Sequence, residues 1–365
     1  MNKRFEALDA FRGICAISVV IFHMHFIDSI TELSFFRGSA IFVEFFFVLS
    51  GFVLAHGYGS REGVKFKTFI RARFFRIYPL HLFMLIVFLA LEGVKLLAYE
   101  FGGLSFNSLP FTNDFAPNEI IPNLLLIQSW SSYTNPLSFN YPSWSISIEF
   151  YMYSLLFCSI VFFKKQKKPV WLLVSTIAFI LLYFKSDILV ESVLKGLSCF
   201  FGGAFTYVIY KKLSHLKPSF LIATLIETSL LILIVLVVNN KFEYKPLAAP
   251  LLFFATVLFF AFEVGLCSKI LKLRLFQFTG KLSYSIYMTH AAILFCVTSL
   301  GVILEKILSQ EIAPMIETQR YLNFGGAIVN NISIFITLIT IIFISHITYN
   351  YIELKGLSLN KKRWQ

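Results

Sequence analysis

The chain has 365 residues, of which 57% are hydrophobic and only 14% charged, and its mean hydropathy is +0.75. Because soluble domains are about 45–50% apolar and about 25% charged, this composition excludes a soluble globular fold. The net charge of +12 gives no reason to expect a nucleic-acid partner, since multi-pass membrane proteins accumulate basic residues in cytoplasmic loops and against anionic lipid.

Apolar runs long enough to cross a bilayer recur along the whole sequence. About 20 residues span the roughly 30 Å hydrocarbon core as a helix, and the alternating strands of a membrane β-barrel are absent. We therefore predict an all-α, polytopic integral membrane bundle of about ten transmembrane helices embedded in the lipid bilayer. The predicted spans are 8–28, 38–58, 77–98, 144–163, 170–184, 192–210, 219–238, 247–266, 282–304 and 325–350.

The distribution of lysine and arginine predicts the orientation. With the N-terminus inside, 23 of the 32 basic residues fall in cytoplasmic segments, eight in external segments, and Arg12 within the first helix. This bias predicts that both termini are cytoplasmic and that the chain is a multi-pass protein of the cell (inner, cytoplasmic) membrane. No small-residue cleavage site follows the first helix, so we expect a retained span within a single membrane-embedded domain, residues 1–365.

The first helix carries two ionisable residues at positions that share a face. Arg12 and His23 are eleven residues apart, which is about three helical turns plus 20°, and about 16 Å along the axis. Ionisable groups inside spans are costly and therefore indicate function by default. The alternative for His23 is a histidine that hydrogen-bonds between helices and helps them pack.

Two carboxylates inside spans are further candidates. Glu44 lies in VEFFFVLSGF of the second span, and Glu149 in PSWSISIEF of the fourth. The alternative for Glu44 is a structural role in balancing a buried arginine. Trp144 stands at the start of the fourth span, where an aromatic side chain either belongs to an interfacial belt or forms a sugar-stacking platform.

A basic motif, RARFFRIYPL, precedes the third span. A helix through it places Arg73 and Arg76 on one face, and two guanidinium groups there suit phosphates, because the planar fork bonds oxyanions in a bidentate manner. The alternative is a topological signal made of six basic residues in one loop. In the ninth span, SYSIYMTH places Tyr287 and His290 three residues apart on one face, as pore-lining or inter-helix polar contacts.

The five cysteines all fall in apolar runs without metal or redox spacing. We read them as packing residues and predict no metal site.

Taken together, these segments resemble the membrane acyltransferase family 3, integral-membrane O-acyltransferases that modify bacterial surface polysaccharides. The resemblance covers essentially the whole chain and is carried by LDAFRGICAISVVIFH, VEFFFVLSGFVLAHG, RARFFRIYPL, NLLLIQSW, PSWSISIEF and SYSIYMTH, in the family's order and spacing. The chain resembles the single-domain members of the family, which have no appended external domain. The second-span acid is more often aspartate in the family, whereas this chain has Glu44.

The resemblance implies an acyl-CoA-dependent O-acetyltransferase that moves an acetyl group from cytosolic acetyl-CoA to a hydroxyl of an extracytoplasmic polysaccharide or glycan. Arg12, Arg73 and Arg76 are then expected to bind the donor, and His23 to act as general base with Glu44 or Glu149 orienting it. Trp144, Tyr287 and His290 are expected to contact the acceptor.

The alternative is a transporter or flippase for a glycan or small solute with a buried polar relay, although no internal repeat supports it. The sequence leaves open the acceptor sugar, the acyl length, a covalent acyl-enzyme and whether the chain forms a homo-oligomer.

Overall fold

The computed structural model describes residues 3–59, 61, 63–103, 106 and 108–361, with side chains up to residue 359. Its α-helices are α1 (Glu6–Phe22), α2 (Ser34–Arg37), α3 (Phe42–Tyr58), α4 (Phe66–Gly102), α5 (Ile120–Leu125), α6 (Ser143–Phe163), α7 (Lys167–Tyr183), α8 (Glu191–Leu213), α9 (Phe220–Asn239), α10 (Lys245–Phe260), α11 (Leu266–Leu271), α12 (Arg274–Leu308), α13 (Ala327–Thr348) and α14 (Leu354–Lys361). Two short strands, β1 (Met315–Ile316) and β2 (Gln319–Arg320), pair antiparallel.

Seven stretches of helix in the described part of the chain are long and apolar enough to cross a membrane. They are Ser39–Tyr58, Phe66–Gly102, Ser143–Tyr183, Glu191–Leu213, Phe220–Asn239, Arg274–Leu308 and Ala327–Leu359. The prediction of an all-α multi-pass membrane protein is therefore confirmed. Because Ser143–Tyr183 contains two predicted spans and α1 and α10 are shorter, the number of ten crossings stays a prediction, as does the position of the termini. Lys362, Arg363 and Gln365 of the predicted cytoplasmic tail lie outside the described residues.

The first predicted span is too long. We expected a helix over 8–28, but α1 ends at Phe22 because its last carbonyl groups find a side-chain partner. The Arg37 guanidinium donates from Nη2 to the carbonyl oxygens of Ile21 at 3.0 Å and Met24 at 2.7 Å. A cation that satisfies the free carbonyls at a helix C-terminus also complements its dipole.

Other predicted spans are too short. Helix α4 begins at Phe66 and ends at Gly102, so the basic motif expected in a loop belongs to the same helix as the span predicted over 77–98. Helix α12 likewise begins eight residues before the predicted 282. The spans were predicted from apolar runs, and that criterion does not include the polar residues at the ends of these helices.

The chain divides into two compact units. The first unit comprises residues 1–18, 38–73 and 148–283, and the second comprises 19–37, 74–147 and 284–365. Four helices, α1, α4, α6 and α12, have residues in both units. The prediction of one domain stays a prediction.

In the first unit, glycines allow α3 and α8 to pack closely. A Cβ at Gly51 would overlap the backbone carbonyl of Phe200, and one at Gly203 would overlap that of Val48. Only glycine permits such an approach of two helix backbones.

In the second unit, polar side chains tie the irregular segments to the helices. Asn123 at the end of α5 donates to the Ser138 hydroxyl at 2.7 Å, and a His81 ring nitrogen on α4 lies 2.8 Å from the Asn123 carbonyl oxygen. A parallel bridge joins Phe26 to Leu322. The bridge holds the chain three residues after His23.

Candidate active site

His23 lies directly after the last residue of α1. Its backbone N–H reaches the carbonyl oxygens of Val19 at 3.2 Å and Val20 at 3.1 Å, so it continues the last turn. The side chain is half-buried, whereas the next residue, Met24, is fully buried. The end of a helix held by Arg37 thus positions an imidazole that is accessible on one side.

Besides its neighbour Phe22, with ring centroids 4.8 Å apart, the His23 ring contacts two aromatic side chains from other segments. The His290 ring of α12 stacks on it with centroids 5.4 Å apart and an interplanar angle of 27°. The Tyr141 ring lies closer, with centroids 4.5 Å apart. His23 and His290, both predicted as site residues, are therefore direct neighbours within the second unit.

His290 is fully buried, and both of its ring nitrogens lack a hydrogen bond of good geometry. The acceptors nearest to it are the backbone carbonyls of Ile286 and Tyr287, one turn earlier in the same helix. An unsatisfied buried imidazole costs stability, and residues kept at such a cost are commonly functional.

Tyr287 contacts a different partner. Its hydroxyl lies 2.9 Å from the Ser145 Oγ of α6, and its ring centroid is 6.0 Å from that of His290. The Tyr141 phenol lies before α6, outside the predicted spans, and burial followed by the nearby Tyr287 raises its pKa above the ordinary value. Tyr141 is therefore a neutral phenol that can donate a hydrogen bond.

A cavity of about 260 Å³ opens beside His23 within the second unit. Aromatic and aliphatic side chains, including Phe88, Phe115, Phe139 and Leu294, line it together with polar ones: His23, His25, Lys95, Ser108, Tyr141, Thr298, Ser299, Gln319 and Arg320. Phe115 and Phe139 belong to the segment between α4 and α6. Aromatic walls with a few polar groups are typical of small-molecule and sugar sites.

Trp144, the other residue expected at the acceptor, lies half-buried in the first turn of α6. It is not among the residues that line this cavity. Its expected contact with the acceptor stays a prediction.

Glu149 occupies a hydrogen-bonded cluster in the first unit. Its Oε1 accepts from the Ser50 hydroxyl and from the Tyr153 hydroxyl, the latter at 2.5 Å. Tyr153 is buried, and its ring centroid lies 6.0 Å from the Arg73 guanidinium carbon. Glu149 therefore holds the ring that faces Arg73, and sequence reasoning missed both Ser50 and Tyr153 as its partners.

Arg73 is a cation with unused hydrogen-bonding capacity. Its Nε is buried and has no hydrogen-bond partner, while its guanidinium lies over the rings of Tyr58 at 5.8 Å and Tyr153 at 6.0 Å. Arg12 lies within electrostatic range of the same Tyr153. The structure thus brings Arg12, Arg73 and Glu149 around one tyrosine.

Arg76 is engaged differently. Its Nη1 forms an ion pair with the Glu353 carboxylate, whose other oxygen accepts from the Ser285 hydroxyl at 3.0 Å. The Glu353 side chain is fully buried, so this pair stabilises the second unit. The predicted role of Arg76 in donor binding stays a prediction.

Glu44 lies buried beside a lysine. Its Oε1 is 3.9 Å from the Lys195 Nζ, which also pairs with Glu191 at 2.8 Å, and its Oε2 has no hydrogen-bond partner. Glu44 thus has a basic neighbour, as its structural alternative requires, but this neighbour is a lysine and not the arginine that was expected. Its predicted catalytic role stays a prediction.

The first unit also contains a cavity of about 940 Å³ that sequence reasoning did not anticipate. Basic side chains from three segments line it: Arg61, the lysines of KKQKK at 164–168, and Lys211 with Lys212. Each cluster was read separately as a topological signal. Within the described residues, no group of three or more histidine, cysteine or acidic side chains is arranged to hold a metal ion.

Comparison with known proteins gives one match over most of the chain. A family model described as an acyltransferase domain matches residues 5–350, which includes every candidate residue above except Glu353.

Two relatives match shorter stretches. "Acyltransferase MdmB" of Streptomyces mycarofaciens is 41% identical over 115 residues, 31% of this chain and 26% of that protein. "Protein 2 in picA locus" of Rhizobium radiobacter is 43% identical over 89 residues, 23% of this chain and 43% of that protein. The matches therefore cover less than half of either relative. No solved structure gives a significant match.

Proposed function

Because this chain belongs to the acyltransferase family whose model matches residues 5–350, we propose that it moves an acetyl group from cytosolic acetyl-CoA to a hydroxyl of an extracytoplasmic polysaccharide or glycan. The family makes it an acyltransferase and the helices make it a multi-pass membrane protein. The donor, the acceptor and the inner membrane as its location belong to the proposal.

The observation that carries the proposal is the His23 ring, stacked on His290 and half-open to an aromatic cavity. An imidazole is the side chain best suited to accept a proton near neutral pH. General base catalysis by such a group contributes about 10²–10⁴-fold to a rate.

The reaction proceeds by attack of the acceptor on the thioester. His23 takes the proton of the acceptor hydroxyl as its oxygen bonds to the acetyl carbonyl carbon. The carbon–sulfur bond breaks, and the imidazolium returns the proton to the departing coenzyme A sulfur. The Tyr141 phenol, beside His23, is placed to donate a hydrogen bond to the oxygen on which negative charge develops.

Charge recognition of the donor falls to the first unit. Coenzyme A carries phosphates, and Arg73 has a guanidinium nitrogen without a protein partner. Arg12 adds a second cation near Tyr153. Arg12 lies within α1 and His23 directly follows its last residue, so one segment of the chain supplies both a cation for the donor and the proposed base.

The test is acetyl transfer by the purified full-length protein in detergent or nanodiscs. Release of free coenzyme A from acetyl-CoA is measured with a thiol reagent, with and without a glycan acceptor, and the glycan is examined by mass spectrometry. Acetylated glycan formed only with acetyl-CoA and protein present supports the proposal. Equal turnover with succinyl-CoA contradicts the acetyl assignment, and an absence of coenzyme A release contradicts the whole proposal.

A further inference from the structure

We infer that the basic cavity of the first unit binds the 3′-phosphoadenosine diphosphate head of a coenzyme A donor. The inference rests on the proposed function, because it assigns a subsite to that donor. It goes beyond the three arginines that the sequence suggested for donor binding, Arg12, Arg73 and Arg76, since it gives the lysines of KKQKK at 164–168 a ligand.

The charge of the cavity comes from segments that are distant in sequence. Arg61 follows α3, the lysines at 164–168 join α6 to α7, and Lys211 and Lys212 lie in the last turn of α8. No acidic residue is among the lining residues. A phosphate monoester carries about −1.5 to −2 charges near pH 7, so the three phosphates of coenzyme A match this concentration of positive charge.

A topological role alone does not require a cavity. Lys65, Lys67, Lys217 and Lys269 belong to the same predicted cytoplasmic segments and are exposed, yet none of them lines it. The volume of about 940 Å³ lies near the top of the range of about 300–1,000 Å³ for small-molecule sites. The cavity is therefore large enough for a nucleotide.

Aromatic rings supply surfaces for the adenine. Tyr58, Trp171 and Tyr207 line the same cavity. Trp171 is almost fully buried, and its Nε1 donates to the Ser159 hydroxyl at 2.7 Å, which fixes its ring. Tyr58 and Tyr207 are half-buried, and stacking of a base on an aromatic ring contributes to nucleotide binding without depending on sequence.

Tyr58 connects the cavity to Arg73. The guanidinium of Arg61 lies 5.5 Å from the Tyr58 ring centroid and that of Arg73 lies 5.8 Å from it. A donor whose 3′-phosphate meets the lysines can therefore present its diphosphate toward the Nε of Arg73, which lacks a partner.

The experiment measures coenzyme A binding to the purified full-length protein by titration calorimetry. The test variant replaces four lining lysines: Lys164→Gln, Lys165→Gln, Lys167→Gln and Lys168→Gln. The matched control makes the same charge change outside the cavity: Lys65→Gln, Lys67→Gln, Lys217→Gln and Lys269→Gln. We expect the dissociation constant to rise at least tenfold in the test variant and less than twofold in the control.

Two further probes separate the phosphate sources. Adenosine 3′,5′-bisphosphate should compete with coenzyme A in the wild type, and dephospho-coenzyme A, which lacks the 3′-phosphate, should lose much less affinity in the test variant. If the lysines instead contact anionic headgroups, the test variant loses only its retention of phosphatidylglycerol from mixed vesicles and keeps its coenzyme A affinity. That result overturns the inference.

The outcomes also separate the inference from the proposed function. A wild type that binds and consumes acetyl-CoA, with unchanged affinity in the test variant, overturns the lysine subsite alone. A wild type that binds no coenzyme A overturns both. An equal loss of affinity in the test and control variants shows a general charge effect and overturns the subsite.

Discussion

The two units of this chain use their polar residues for different chemistry. The first unit collects cations, with Arg73 carrying a nitrogen that has no partner and a cavity lined by seven basic side chains. The second unit brings titratable ring groups together, with His23, His290 and Tyr141 in ring contact. In the proposed reaction the first set would bind the charged donor and the second would transfer the proton, so substitutions can test each set separately.

The same contrast appears within one helix. Arg73 and Arg76 are three residues apart on α4, but the Arg73 guanidinium lies over the rings of Tyr58 and Tyr153, while Arg76 pairs with the buried Glu353. The two arginines look equivalent in RARFFRIYPL, but phosphate binding is expected to be less favourable at Arg76 than at Arg73. A guanidinium already paired inside the protein has to break that pair before it binds a phosphate.

The largest effect is expected from the proton-transfer group. His23→Ala should lower acetyl transfer by about 10²–10⁴-fold, the usual contribution of a general base, and leave the coenzyme A dissociation constant within twofold. Turnover is measured as coenzyme A release at equal amounts of folded protein, with donor binding in parallel. His215→Ala, an exposed histidine of the first unit, is the matched control and should retain full activity.

A purely structural His23 would give a different result. Protein yield and activity would then fall together, and specific activity per folded molecule would stay near that of the wild type. Such an outcome removes His23 from the reaction and leaves His290 as the next base to substitute.

A second prediction concerns the stability of the second unit. Arg76→Met should lower the free energy of unfolding by about 3–5 kcal/mol, because it leaves the buried Glu353 carboxylate without its cation. Thermal unfolding in detergent measures the change. The double variant Arg76→Met with Glu353→Leu removes both charges and should recover much of the loss.

The double variant also decides whether Arg76 binds the donor, as the sequence predicts. Unchanged coenzyme A affinity in the stabilised double variant assigns Arg76 to structure alone. A tenfold weaker affinity, in contrast, gives Arg76 a part in donor binding in spite of its pairing.

The difference between these arginines marks the limit of sequence reasoning. The helical spans were predictable because apolar runs of about 20 residues have one stable form in lipid, and His23 stood out because ionisable groups there are costly. The Arg76 partner is 277 positions away in the chain, and no local pattern predicts a pair at that distance. The end of α1 was missed for the same reason, since it depends on Arg37 reaching back to Ile21 and Met24.

The lysine-lined cavity was missed for another reason. KKQKK, Arg61 and the lysines at the end of α8 each have an adequate explanation as topological signals. The three segments line one cavity, and this shared position is what distinguishes a binding site from three separate topological signals. Convergence is a property of tertiary packing, and a single sequence contains no direct signal for it.

A third prediction concerns Arg73, a cation of the first unit, and its proposed role in coenzyme A binding. Arg73→Lys keeps the charge but removes the planar fork, so it should weaken coenzyme A binding by about tenfold, which corresponds to about 1.4 kcal/mol. Acetyl transfer at saturating donor should change less than threefold. Titration with coenzyme A measures the first effect and steady-state turnover the second. Unchanged affinity would return Arg73 to a topological role.

The smallest effect is expected at the edge of the histidine cluster, where Tyr287 shares a hydrogen bond with Ser145 at 2.9 Å. Tyr287→Phe removes that bond but keeps the ring beside His290, so turnover at low acceptor concentration should fall by about 2- to 12-fold, the equivalent of about 0.5–1.5 kcal/mol. Ser145→Ala should give a similar loss, and the double variant should be no worse than either single one, because both changes remove the same interaction. Tyr351→Phe, a 64% exposed tyrosine of the same unit, is the control and should leave turnover unchanged. Losses that simply multiply in the double variant would show that Tyr287 acts on the acceptor directly, and not through Ser145.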